Sequence, residues 1–504
     1  MENKSELNSK LENLKEEPKI CNEFFENSML FYINPSLSDK SDNIKKDPPS
    51  KTESPLLINN YIEKCYIKDE YNIYEKSFEY KAIGLGKRGK YPISEIPLIQ
   101  NRIIEIKEFK IDEKNIEYNF NKENSNLAFD TINFKNEQTI KIYLKYQESK
   151  KLTEEQKKQR KVYIEDTYGL SPNLEGLEGS NAIFYLIIEN DMEIISLDEI
   201  IFIKEKENVY KFEGLVPKGG KRTRVILSKK KAKYKVCYTK NIKTKNKENI
   251  KDTKIALHYY FEGGGNKKNE IKINPTTNPP NKIIKNEKEK LYDIKFKNIN
   301  QNKAEIKIEG EIINNCSGEW LCDLTDEQIE KEIPQDYKTD CEKLKEIAEN
   351  IIKEYDEKNK NNKVAITDIA KIGKWVKENV KYDENYEKEN ITALEFCNKK
   401  EKKGVCEQFT FLFNALLYSL GYKCICVSGF VLKDKDSFDS DDAHAWSLVR
   451  VNGKWLPFDA TWGIFSGKLS VGHIFGNYFL KTNTCKTQDD LDKQADKVSG
   501  NFIE

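Results

Sequence analysis

The spacing of apolar residues changes once along this chain, and the change limits what the chain can fold into. Between about residues 58 and 325 apolar side chains recur at every second position: Thr139–Tyr146 reads TIKIYLKY and Asn181–Ile188 reads NAIFYLII. A period of two puts alternate side chains on opposite faces of a strand. Leu197–Lys204, Val209–Leu215, Thr223–Leu227, Lys233–Tyr238, Ala256–Phe261, Leu291–Phe296 and Ala304–Ile313 continue the pattern. A Pro217–Gly220 turn and an NPTTNPPNK loop from Asn274 punctuate it. Short strands and turns at such intervals predict β-sandwich-like modules. After Trp320 the period becomes helical. Thr325/Gln328 and Thr339/Glu342 have capping-box spacing. Leu344, Ile347, Ala348, Ile351, Ile352 and Tyr355 then fall on one helix face. A further helix is expected near Thr367, carrying Ile369, Ile372, Trp375 and Val376.

With 504 residues the chain has room for two to four domains. The expected division is a disordered polar arm at 1–57, a β-rich N-terminal module at 58–160 and a β-sandwich-like module at 161–325. An α+β domain at 326–488 and a C-terminal tail at 489–504 complete it.

The charge balance, 85 Lys+Arg against 84 Asp+Glu, excludes a strongly basic nucleic-acid binder and an acidic tail protein. Only Arg88, Arg102, Arg160, Arg222, Arg224 and Arg450 are arginines, so the chain has little of the planar fork that suits phosphate and base recognition. The KKKAK run at Lys229–Lys233 reads as a solvated strand edge. The N-terminus lacks an apolar core of signal-peptide length, and the apolar stretch Phe409–Leu432 is interrupted by Asn414, Gly421 and Lys423. A cytoplasmic protein without a membrane partner is expected. The 11 cysteines include no CxxC pair, and only His258, His444 and His473 could add imidazoles, so no metal or cofactor is expected. Gly84, Gly86 and Gly89 match the dinucleotide GxGxxG pattern, but Tyr91-Pro92 follows where a helix start is needed, so a turn is the expected reading.

The chemistry is concentrated in GVCEQFTFLFNALLYSLGY, which starts at Gly404. Phe409, Leu412, Phe413, Leu416, Leu417 and Leu420 recur at helical spacing, and Gly421 is placed to end the helix. Cys406 is thereby set in the first turn, where unpaired amides and the helix dipole favour a thiolate. Its own N–H becomes an oxyanion donor candidate. Downstream, AHAWSLVRV at Ala443–Val451 and KWLPFDAT at Lys454–Thr461 flank Asn452-Gly453, a strong two-residue hairpin signal. Pairing Val451 with Lys454 places Asp459 opposite Trp446 and diagonal to His444, about 7–8 Å away between Cα atoms. Pro457 points to an edge strand or a bulge that alters the register. Cys406 as nucleophile, His444 as base and acid, and Asp459 as the group that fixes the imidazole form a thiol triad.

These residues also carry a resemblance. GVCEQFTFLFNALLYSLGYKCICVSGF, DDAHAWSLVRVNGKW and LPFDATWG closely resemble the transglutaminase-like, papain-related cysteine superfamily, and KWVKENVKYD resembles the segment that opens such domains. The resemblance covers about residues 340–480. It implies a nucleophile helix packed on an antiparallel sheet, makes 326–488 the catalytic domain, and carries the family triad onto Cys406, His444 and Asp459. The β-rich region is similar in kind to modules that precede such domains. Animal transglutaminases place a Trp upstream of the nucleophile to hold the oxyanion, and none occurs between Tyr382 and Gly404. Trp375 reads as core, and Gln408 is a candidate second donor. His473, in VGHIFGNYF, reads as structural, and Trp446, Trp455 and Trp462 as core or cleft wall. Asp434, Asp436, Asp439, Asp441 and Asp442 suggest either a calcium loop or a solvated acidic loop, the second favoured because no helix–loop–helix ligand spacing surrounds them.

The expectation is an intracellular thiol enzyme acting on protein or peptide amides through an acyl-enzyme. Hydrolysis, as peptidase or deamidase, is slightly favoured over lysine crosslinking. Peptide:N-glycanases share the triad but carry paired CxxC zinc ligands, which this chain lacks. A catalytically silent transglutaminase-like scaffold is the alternative.

Overall fold

A computed structural model describes most of residues 56–475, with gaps of which 171–180 is the longest, and three short strands between 485 and 502. Residues 1–55 of the expected arm, and Gly84, Gly86 and Gly89, lie outside the described residues. A strand, Lys90–Pro97, comes directly after that glycine motif, so no helix N-terminus stands there to receive a pyrophosphate. The described residues form two compact units, one ending at Leu227 and one starting at Ser228. Among the described residues no helix is long and apolar enough to cross a membrane.

The first unit is sheet-rich. Its largest sheet contains β1 (Leu56–Ile67), β2 (Tyr71–Ala82), β3 (Ile103–Ile111), β4 (Thr139–Ser149), β5 (Asn181–Ile187) and β6 (Val209–Leu215). In space they run β6-β5-β1-β2-β4-β3, with short strands at both ends. All pairs are antiparallel except β1 with β5, where Tyr61 faces Ala182. The strands alternate buried and exposed residues as their period-two sequences require. Phe78, Leu144, Tyr146 and Phe184 build the core from the inward positions. β1 and β5 come from either side of residue 160, so the two expected β modules share this sheet. Its interior also holds a buried ion pair, Lys76 Nζ to Glu63 Oε2 at 3.4 Å, and Tyr61 donates to the same Glu63 oxygen.

In the second unit β7 (Lys231–Thr244) pairs with β8 (Lys303–Asn315) on one side and β15 (Lys497–Phe502) on the other. Lys233, from the KKKAK run, forms an ion pair with Glu311 across β7 and β8 at 2.8 Å. After two short helices, Asp326–Glu332 and Gln335–Thr339, come the longer α1 (Cys341–Lys358) and α2 (Asp368–Asn379). Thr367 caps α2 by accepting the Ala370 N–H at 3.3 Å. β9 (Val380–Tyr382) then pairs in parallel with β10 (Lys402–Gly404). After these come α3 (Cys406–Ser419) and an antiparallel sheet of β11 (Cys424–Val431), β12 (Ala443–Val451), β13 (Lys454–Phe458) and β14 (His473–Phe475). The sheet order is β13-β12-β11-β14. This is the mixed helix-and-sheet arrangement expected for the C-terminal domain.

Helix α3 is mostly buried from Gln408 onward, as its Phe- and Leu-rich sequence demands. It lies on the sheet through Thr410, whose hydroxyl donates to Ala445 O at 3.2 Å, and through Phe413, whose ring is tilted against that of Phe458 with centroids 6.5 Å apart. Gly421 ends it in the left-handed region at φ 90. The Gly421 and Tyr422 amides reach back to Tyr418 O and Leu417 O at 2.9 and 3.1 Å, a Schellman closure. At its start, a Cβ on Gly404 would come 2.4 Å from Gln408 Cβ. Gly404→Ala is therefore expected to cost about 1–3 kcal/mol by overpacking, measured as a lowered denaturation midpoint.

Candidate active site

Cys406 is the first residue of α3. The turn is closed by Gln408, whose Oε1 accepts the Val405 N–H at 3.1 Å. The helix thus offers its positive end to a half-buried thiol. His444 arrives on β12 and Asp459 follows β13. The hairpin between those strands turns on Asn452 and Gly453 at φ 50 and 77, the double left-handed conformation of a tight two-residue turn. Val451 pairs with Lys454, and the ladder runs without a shift to Ser447 and Phe458. The ladder ends there, and Asp459 is bridged instead to Ile464. Pro457 is tolerated because β13 is the sheet edge.

The result is a continuous polar series. His444 Nε2 lies 2.8 Å from Asp459 Oδ2. The His444 ring and the Ala445 main chain act on the Cys406 thiol and lower it. Because Nε2 is engaged with Asp459, Nδ1 is the ring nitrogen left for sulfur. Asp459 is completely buried and fully engaged. Its Oδ1 accepts the Thr461 and Trp462 amides at 2.8 and 2.9 Å. Its Oδ2 also meets His473 Nε2 at 3.0 Å.

These contacts set the protonation states. Burial pushes the Cys406 thiol up, but the His444 hydrogen bond and charge outweigh it, so the thiol falls below its ordinary value. Burial pushes His444 down, yet the Asp459 carboxylate more than reverses this and raises the imidazole to about 9. Burial opposes the charge of Asp459, while His444 and then His473 hold the carboxyl well below the usual range. A thiolate–imidazolium pair is the form these directions favour near neutral pH.

Residues 349–460 match the model of the transglutaminase-like superfamily. That stretch contains Cys406, His444 and Asp459. Residues 349–460 form a transglutaminase-like domain. The chain is 27% identical over 101 residues to the kyphoscoliosis peptidase of Mus musculus, a match that spans 19% of this chain and 15% of that protein. Among solved structures, a chain titled "Putative Cysteine Protease" from Cytophaga hutchinsonii aligns at 16% identity over 54% of this chain and 91% of its own, with a TM-score of 0.34. The M1 zinc metallopeptidase of Deinococcus radiodurans aligns at 8% identity over 40% of this chain and 45% of its own, with a TM-score of 0.24.

Around the transglutaminase-like site the remaining candidates separate. Gln408 uses its side-chain oxygen to cap α3. Trp375 is half-buried on α2, with Lys402 Nζ 5.7 Å from its ring centroid. Trp446 and Trp462 wall the imidazoles, their ring centroids 5.3 and 4.7 Å from that of His473. Trp455 is buried and pairs with Arg450 on β12. Asp434 and Asp436 lie outside the described residues. Asp439 and Asp442 spend carboxylate oxygens on each other's loop: Asp439 Oδ1 accepts the Asp441 N–H and Asp442 Oδ2 accepts the Asp439 N–H, both at 2.9 Å. They order the turn that delivers His444 to its strand.

Two residues of the transglutaminase-like site were not expected there. Tyr382 faces Gly404 across β9 and β10, is 42% exposed, and places its ring 6.2 Å from Phe409. Burial and then Cys406 push its phenol up. The signal was available in KYD, directly after an amphipathic helix, but a single aromatic at a strand end is common. His473, expected to be structural, shares the Asp459 oxygen with His444. The two rings and the carboxylate hold their ligand-type atoms within 4.8 Å of one another. A cation there would have to displace both imidazole hydrogen bonds.

Asn314 Nδ2 holds His473 in place by donating to Val471 O and His473 O, each at 2.7 Å. Tyr234 OH donates to Val471 O at 2.8 Å. His473→Phe removes one charge-assisted donor from a buried carboxylate and is expected to lose about 1.5–3 kcal/mol of stability. His473→Gln, whose amide can donate, should recover much of it. Denaturant titration of both variants checks this.

Proposed function

We propose that the chain is a cytoplasmic thiol enzyme that acts on protein or peptide amides. The observation that carries this reading is the Cys406–His444–Asp459 series, with a depressed thiol and a raised imidazole at the start of a buried helix. The Cys406 sulfur attacks the amide carbon while His444 holds the proton taken from the thiol. The tetrahedral oxyanion lies near the start of α3, with the Cys406 N–H as its candidate donor. His444 then gives its proton to the leaving nitrogen, the C–N bond breaks and an acyl-thioester remains on Cys406. Water, deprotonated by His444, resolves it to the acid and regenerates the thiol. A lysine amine in place of water would form a crosslink. Asp459 keeps the imidazole oriented and stabilises its charged form.

Two experiments test the proposal. A thiol-directed probe should label Cys406 faster than the other cysteines of the folded chain near neutral pH, and His444→Ala should remove that advantage. Equal labelling of all accessible thiols defeats the reading. A glutamine peptide incubated with and without a labelled amine then separates acid product from amine conjugate.

The pH dependence is set by the two shifts. Activity should persist below the ordinary thiol range, because the thiolate is already formed there. It should fall at lower pH as Cys406 takes up a proton. It should fall again as pH rises through about 9, where the imidazolium loses the proton needed by the leaving amine. A rate profile showing only an ascending limb at the ordinary thiol pKa contradicts the ion pair.

A further inference from the structure

The Asp459 carboxylate accepts two hydrogen bonds on each oxygen. Oδ1 takes the Thr461 and Trp462 amides, and Oδ2 takes the Nε2 atoms of His444 and His473 at 2.8 and 3.0 Å. An ionised carboxylate has about four acceptor positions, so the group is fully occupied. A thiol–imidazole–acid series uses one of these rings. The second is held in place by its own set of contacts. His473 is 1% exposed and walled by Trp446 and Trp462. Its main-chain N–H donates to Ser470 O at 2.9 Å, and Asn314 fixes its carbonyl. Filling that space would take only an apolar ring, whereas an imidazole aimed at the triad carboxylate acts on its charge.

Both rings cannot carry charge at once. Their centroids are 5.7 Å apart in a buried site, where like charges repel strongly. Against burial, His444 has the Asp459 carboxylate and the Cys406 thiolate to hold its proton. For His473, burial outweighs the pull of the same carboxylate, the His444 charge adds to it, and the imidazole falls below its ordinary value. The proton therefore belongs to His444. Neutral His473 must carry its one hydrogen on Nε2, because an ionised Oδ2 only accepts. Two other titratable groups feel the Asp459 charge: Cys406 at the start of α3 and Tyr382 at the end of β9. Lys377, on α2, donates to the Thr461 carbonyl.

We propose that His473 is a positioning residue that shares Asp459 Oδ2 with His444 and so limits how tightly His444 holds the proton destined for the leaving amine. A donor on a carboxylate stabilises its charge independently of the imidazolium, which leaves less of that charge for His444. Asp459 alone would hold the imidazolium more firmly. An acid whose pKa lies further above the working pH gives up its proton more slowly. The assignment rests on the thiol-enzyme reading for the leaving amine, while the proton itself is observable without turnover.

The chain has three histidines, His258, His444 and His473, so histidine labelled with ¹³C and ¹⁵N in the ring gives three NMR signals in the full chain. His258→Gln and His473→Gln assign them. In the wild type, His444 should stay charged until about 9, and His473 should be neutral near neutral pH with its hydrogen on Nε2. In His473→Phe, which cannot donate, the His444 midpoint should rise by about 0.5–1 unit. His473→Leu serves where the phenylalanine variant fails to melt cooperatively. In His473→Gln, whose NH₂ can donate to Oδ2, the midpoint should return to within about 0.3 unit of the wild type. A purely space-filling role predicts no difference between these variants.

A charged His473 near neutral pH, its hydrogen on Nδ1, or an unmoved or lowered His444 midpoint in the apolar variant overturns the assignment. The first two are read in the wild-type chain and need no variant to fold. Thiol-probe labelling of Cys406 is measured on the same samples. Slow labelling with the expected His444 shift defeats the enzyme reading alone, and fast labelling with an unmoved midpoint defeats the His473 assignment alone.

Discussion

Replacing Cys406 with alanine is expected to abolish turnover of a glutamine or peptide-amide substrate, a loss of at least about 10³-fold. Among the described residues no other group can do its work. The sulfur sits at the helix start and is the thiol that the His444 imidazole depresses. Cys424, on β11, is buried, donates to Asn414 O at 3.3 Å, and is pushed by burial far above the ordinary thiol range. Cys406→Ser should fare little better, because a hydroxyl stays protonated where the thiol does not. The loss should come with an unchanged melting midpoint to within about 1 kcal/mol equivalent, since the thiol is half-buried and replacement by alanine leaves the helix cap intact. Activity within 10-fold of wild type in Cys406→Ala would end the covalent mechanism.

The second large effect is expected from Asp459→Asn, a fall in kcat/KM of about 10³–10⁴-fold. If the asparagine keeps its oxygen on the Thr461 and Trp462 amides, its NH₂ group faces two imidazole nitrogens that now meet a donor. His444 must then carry its hydrogen on Nδ1, toward the sulfur, and cannot accept the thiol proton. If the amide turns the other way, the two backbone donors lose their acceptor instead. In both cases the charge that raises His444 to about 9 is gone, so the upper limb of the pH profile should move down. A pH–rate series compared with the wild type reads this directly, and an unmoved limb would show that Asp459 does not set the imidazole.

Much of this site is legible in the sequence alone, for reasons that are local. Asn452-Gly453 sets the hairpin turn, the turn sets the register, and the register puts His444 within reach of Asp459. The apolar spacing from Phe409 to Leu420 sets the helix and its start at Cys406. Gly421 then ends it. Each inference spans a few residues and uses one period or one turn rule.

What the sequence concealed depends on contacts between distant segments. His473 lies 14 residues past Asp459 and beyond the matched superfamily region, with no periodicity that aims it at a carboxylate. Tyr382 comes to the start of α3 because β9 pairs in parallel with β10 and sets it against Gly404, a pairing of three-residue strands that pattern alone does not announce. Gln408 was open to two uses, and the cap at Val405 claims its oxygen. The shared sheet across residue 160 rests on a parallel β1–β5 pair more than 100 residues apart, which alternation in either strand leaves undetermined.

The clamp on His473 bears on how the enzyme could be reused. Asn314 and Tyr234 belong to strands that precede the helical region, yet they grip the loop that carries His473 to Asp459. A fragment trimmed to begin at residue 326 would include Cys406, His444, Asp459 and His473 but lose both anchors. The catalytic segment is thus not a portable cassette: whoever grafts it onto another protein, or shortens it for expression, has to bring the β7–β8 ribbon along.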